Sequence, residues 1–80
     1  MTGRELEYAR RKMGLSRTQL GDLLGYASDD PKLGHNNVRR METGKRDVSP
    51  MCARLVIMIY RHWASTGNLP EFGDAGVREA

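Results

Sequence analysis

LEYARRKMGLSRTQLGDLLG, Leu6 to Gly25, decides the fold. Leu6, Ala9 and Met13 recur at i, i+3 and i+7, the spacing of one apolar helix face. With Thr2 as N-cap and Gly14 as stop, this predicts a first helix over Gly3–Met13. Ser16 then caps a short second helix, Arg17–Leu24, and Gln19 three residues on completes a capping box. Leu20, Leu23 and Leu24 form its buried side, and Gly25 ends it.

A third helix is predicted over His35–Glu42, with Val38 and Met41 inward and Gly44 past its end. GKRDVSP is a turn in which Ser49 and Pro50 supply an N-cap and a first helical residue for a fourth helix, Pro50–Ala64. The centre of that helix, LVIMIY, is apolar on every side, which predicts burial all round. A chain of 80 residues covers only one of its faces. The other is expected to meet a second copy through Leu55, Ile59, Tyr60 and Trp63, a folded-back tail being the alternative cover. Residues 66–80 are rich in Gly and acids without helical period, and are expected to be loose apart from Leu69 and Phe72. Strand signals are absent. The expectation is an all-α, compact four- to five-helix domain over residues 1–65, followed by a tail.

Net charge is only +3, yet it is concentrated. Arg4–Arg17 holds five bases against Glu5 and Glu7, and Lys32–Arg46 holds five against Glu42 alone. The last ten residues are net acidic. Such a distribution points to a polyanion such as nucleic acid. Cys52 is the single cysteine, which excludes an intrachain disulfide and a Cys-based zinc site. With no long apolar run and no signal-peptide pattern at MTGRELEYARRK, a bacterial cytoplasmic location is expected.

Two short helices, the second basic and polar outside, on a scaffold of two others match the layout of a helix-turn-helix reader of DNA. LEYARRKMGLSRTQLGDLLG followed by VRRMETGKRDVSP resembles the Cro and lambda-repressor type of helix-turn-helix domain over about Gly3–Leu55. The shared pattern is a helix ending in Gly-Leu-Ser, a Gln-containing helix ending in Leu-Gly, and an apolar-x-Arg-apolar-Glu-x-Gly stretch before basic residues and Pro.

The resemblance implies that the third helix enters the major groove and the second lies across the backbone. Asn36, Asn37 and Arg39 fall where the family reads bases, with His35 and Arg40 nearby. Asn can bridge adenine N6 and N7, and Arg can bridge guanine O6 and N7. Arg40 is also a candidate for phosphate. Arg17, Thr18 and Gln19 would meet phosphates at the start of the second helix, as would Lys45 and Arg46 beyond the third. Arg10 and Glu42 both fall on core-facing sides, and in the family these positions commonly form an ion pair between the first and third helices.

The chain departs from the family at Tyr26–Asn37, where the connection before Val38 is longer than the pattern allows. Asp30 before Pro31 could cap an extra turn starting at Pro31, weakened by Gly34; alternatively the segment is a loop and the helix starts near Gly34. Either way Lys32 could reach phosphate, while Asp29 and Asp30 would point away, cap a helix or accept from a cytosine N4.

His35, His62 and Cys52 have no ligand spacing, so neither metal nor cofactor is expected. Asp29 and Asp30 lack the cleft that acid–base chemistry needs, so no enzyme activity and no small-molecule substrate are expected. Met41, Met51 and Met58 are assigned to core or seam filling. The expected function is a homodimeric transcriptional repressor, an autorepressor or phage-type regulator, on an inverted repeat of double-stranded DNA. Stand-alone proteins of this type include regulators of anti-CRISPR operons, though no motif here encodes that subclass. The alternatives are an antitoxin-type module holding a toxin through the fourth helix and tail, and RNA binding, which the scarcity of aromatics on the basic face disfavours.

Overall fold

A computed structural model of the chain describes residues 1–26 and 30–71. Four helices follow in order: α1 (Gly3–Lys12), α2 (Arg17–Leu23), α3 (Pro31–Glu42) and α4 (Pro50–Thr66). Among the described residues there are no strands. Asp29, Phe72 and the rest of the tail from 72 to 80 lie outside the described residues.

Each start follows from its cap. The Thr2 side chain accepts the Glu5 N–H at 3.1 Å, and Glu5 returns the bond by accepting the Thr2 N–H at 2.7 Å. That backbone donor holds the Glu5 carboxyl below its ordinary value. The cap is therefore intact at neutral pH and weakens as acid protonates Glu5. Ser16 and Gln19 form the same reciprocal box on α2, at 3.0 and 2.8 Å. Ser49 accepts the Cys52 N–H on α4, with Pro50 in the first helical position.

Four boundaries differ from expectation: α1 and α2 each end one residue early, at Lys12 and Leu23, with Met13 and Leu24 as their C-caps, and α3 and α4 differ more. Asp30 caps α3 by accepting the Lys32 N–H at 2.9 Å, so this helix starts at Pro31 rather than His35. The extra-turn alternative is the one adopted. α4 runs to Thr66, two residues past Ala64 and one past the expected domain boundary, because Gly67 closes it in the left-handed conformation.

Leu6, Ala9, Met13, Leu15, Leu20, Val38, Met41, Val56 and Ile59 make the core, so all four helices and the α1–α2 turn contribute. α3 is the central element, packing closely on α2 and also on α1. The α2–α3 crossing explains Gly34. A glycine inside a helix costs about 1 kcal/mol against alanine, but this one is buried against Gly21. A Cβ at Gly21 would lie 2.7 Å from the Gly34 Cα, and one at Gly34 would lie 3.3 Å from the Gly21 Cα. The two backbones touch where side chains would hold them apart.

Within one chain α4 is buried on one side only. Val56 and Ile59 are in the core, and Cys52, Leu55, Tyr60 and Trp63 are half-buried against it, while Met51, Ile57 and Met58 are exposed. Burial pushes the Cys52 thiol up, and its Sγ lies 3.8 Å from the Met41 sulfur. Leu69 packs on the core as expected. Among the described residues no helix is long and apolar enough to cross a membrane.

Gly21→Ala places a methyl group against the backbone of α3, which has no rotamer to yield. Overpacking of this kind costs roughly 1–3 kcal/mol. Urea denaturation should show a loss in that range for Gly21→Ala and little change for Asp22→Ala, which is exposed in the same helix.

Candidate functional site

Once α3 starts at Pro31, helical geometry assigns every side chain of the basic segment. With Val38 pointing into the core, Asn36 and Arg40 lie about 160° around the helix from it and Leu33 about 140°. Asp30, Leu33, Asn36, Asn37 and Arg40 line one shallow polar depression on this outer side. Lys32 and Arg39 are exposed on the flank, and Lys45 and Arg46 are exposed just beyond the end of α3. The Lys45 and Arg46 N–H groups both donate to the Arg40 carbonyl, at 2.9 and 3.1 Å, folding these two residues back over the helix terminus.

The predicted base readers thus separate. Asn36 and Arg40 share the outermost face, and Arg39 is exposed about 100° from Val38. His35 is half-buried on the core-side flank, with Nδ1 3.5 Å from the Asn36 Oδ1. It is poorly placed to read a base. Asn37 is already occupied: its Nδ2 donates to the Leu33 carbonyl at 2.9 Å and its Oδ1 accepts from Arg46 Nη1. Its role in this arrangement is to brace Arg46 against the first turns of α3. Leu33 was missed as a site residue, because its i, i+3, i+7 relation to Asn36 and Arg40 matters only if the helix begins at Pro31.

The predicted phosphate contacts also divide. Arg17 Nε donates to Glu42 Oε1 at 3.0 Å, so this guanidinium is tied to α3 rather than held out for phosphate. Gln19 directs its side-chain oxygen to the Ser16 N–H, inside the capping box. Thr18 is half-buried near the start of α2, whereas Lys32, Lys45 and Arg46 stay at the surface.

The predicted Arg10–Glu42 pair is present and larger than expected. Arg10 donates through Nε to Oε2 at 2.6 Å and through Nη2 to Oε1 at 3.2 Å, a two-pronged contact. Its Nη1 donates to the Leu15 carbonyl at 3.0 Å. With Arg17, two cations converge on a carboxylate whose side chain is 1% exposed. The group joins α1, the α1–α2 turn, α2 and α3.

Of the four expected seam residues, Ile59 is 1% exposed within a single chain and is a core residue. It follows Val56 by three positions on the face that α4 turns inward. Tyr60 and Trp63 pack on the core and on each other, with ring centroids 5.7 Å apart. Leu55 borders an open apolar stripe with Met51 and Met58, which are 81% and 66% exposed.

Glu42→Gln keeps the shape but strands two guanidiniums that are at most partly exposed. Breaking one side of a buried pair costs about 3–5 kcal/mol. Against a total stability of roughly 4–12 kcal/mol for a chain of this size, a shift of the denaturation midpoint by much of its range is expected. Asp47→Asn, at an exposed carboxylate on the turn after α3, should move it little.

No protein-family model, no curated protein and no solved structure matches the chain.

Proposed function

We propose that this protein is a sequence-specific DNA-binding transcriptional regulator, a homodimeric repressor of helix-turn-helix type that lays α3 in the major groove of an inverted repeat. The observation that supports this best is the composition of one helix face: Asn36 and Arg40 together at its outermost point, flanked by Lys32, Arg39, Lys45 and Arg46 at the surface. Amide and guanidinium groups are the side chains that pair with adenine and guanine edges, and the flanking cations suit the phosphates on either side. α2, packed across α3, would rest on the backbone.

Pre-organisation supports the same reading. A helix that reads bases must keep its register, and α3 is tied to α1 and α2 through Glu42 and seated on α2 through the glycine crossing. The second copy would meet the first through Met51, Leu55 and Met58, spaced i, i+4, i+7 along the uncovered side of α4. Occupancy of the operator alone would block transcription, without catalysis, metal or cofactor.

Selection from random duplex DNA, with stoichiometry by light scattering, should enrich an inverted repeat bound by two chains. Half-sites about one helical turn apart, roughly 34 Å, are expected for a two-fold dimer. Asn36→Ala or Arg40→Ala should cost about 1–3 kcal/mol and relax the preference at one base pair per half-site. Lys45→Ala should weaken all sequences alike and flatten the salt dependence by roughly one counterion per chain. Binding without enrichment would overturn the operator reading. A different protein captured stoichiometrically on the α4 stripe would favour the antitoxin-type alternative. For the dimer, Met58→Asp should yield monomers with the helical content unchanged.

A further inference from the structure

We propose that Leu33 is a specificity determinant that reads the 5-methyl group of a thymine next to the bases addressed by Asn36 and Arg40. This rests on the DNA-binding reading of α3 and extends it to a residue and a base. Leu33 is 46% exposed, and it points away from the core although it belongs to a helix whose apolar residues Val38 and Met41 are buried. Among the described residues it stands alone on that face. The other exposed large apolar residues among those described, Met1, Tyr8, Met51, Ile57 and Met58, belong to the N-terminus, α1 and α4. A patch made for an apolar protein partner would group several such side chains, whereas Leu33 shares its depression with Asp30, Asn36, Asn37 and Arg40.

One isolated apolar side chain among hydrogen-bonding groups matches the one apolar group of the major groove, the thymine methyl. The geometry fits as well. Leu33 and Asn36 are about 60° apart around the helix and about 4.5 Å apart along it, close to the roughly 3.4 Å rise between base pairs. The turn carrying Leu33 is pinned, because its carbonyl accepts from Asn37 Nδ2 and its N–H donates to the Asp30 carbonyl at 3.1 Å. The inserted segment before Val38 thereby adds a turn to the reading helix.

The test uses the full chain and the duplex enriched from the random library, with each thymine replaced in turn by deoxyuridine. Burial of one methyl group is worth about 0.8 kcal/mol, a roughly fourfold change in affinity. The wild type should lose about that factor at one thymine per half-site, and Leu33→Ala, with unchanged circular dichroism, should lose nothing further on the same replacement. An equal loss in both proteins, or no loss at any thymine, would overturn the assignment. In a second arm cytosines are replaced by 5-methyldeoxycytidine; a gain there with no thymine effect would assign Leu33 to a modified cytosine instead, and so reject the thymine. A chain that enriches no duplex at all would fail at the earlier step, bringing down the DNA reading and Leu33's role with it.

Discussion

The Glu42 carboxylate, almost sealed from solvent and held by Arg10 and Arg17 at once, is the constraint on which the remaining structure depends. Its two cations come from α1 and α2, and its own helix is α3. One residue therefore sets the relative placement of three helices. Arg10 also closes on the Leu15 carbonyl and so fixes the turn between α1 and α2. A buried carboxylate is tolerable only when charge and hydrogen bonds both compensate it, and here both oxygens accept from guanidinium groups. The arrangement specifies position more sharply than apolar packing could, since a guanidinium fork tolerates little displacement.

The second constraint is steric. At the α2–α3 crossing, Gly21 and Gly34 remove the side chains that normally keep helices 8–10 Å apart. The close approach lets α2, only seven residues long, remain seated on α3 with few side chains of its own. A third close contact occurs at Gly3, where a Cβ would fall 2.4 Å from the Met41 carbonyl oxygen, so the start of α1 abuts the end of α3. Ion pair, crossing and abutment together leave α3 with its inner side fully engaged and its outer side open.

That outer side has a clear division of labour. Residues near the Val38 direction serve the core, Asn37 on one flank braces Arg46 while Lys32 and Arg39 on the other are exposed, and those opposite it, Leu33, Asn36 and Arg40, face out. Asn37 illustrates how strongly register matters: one residue beyond Asn36, it spends both ends of its amide on the Leu33 carbonyl and on Arg46. α4 shows the same separation between an inner side of Val56 and Ile59 and an outer stripe of methionines.

The amino-acid sequence by itself determined the helices that carry strong local signals: Thr2, Ser16 and Ser49 as caps, the leucine and methionine spacings, and the glycines after each run. It also carried the Arg10–Glu42 pairing, since both residues fall on core-facing sides of periodic helices and the family resemblance implies that these positions pair. Where local signals competed, only the tertiary structure decided. Asp30–Pro31 argued for an early start to α3 and Gly34 against it; the conflict resolves through Gly21, a contact between residues distant in sequence. Arg17 reads from the sequence as a phosphate contact, and its proximity to Glu42 exists only after α2 has packed on α3. For the LVIMIY run, hydrophobicity alone could not divide core from surface. Ile59 turned inward and Met58 outward because α4 meets α1 along one side only, a choice made by packing rather than by composition.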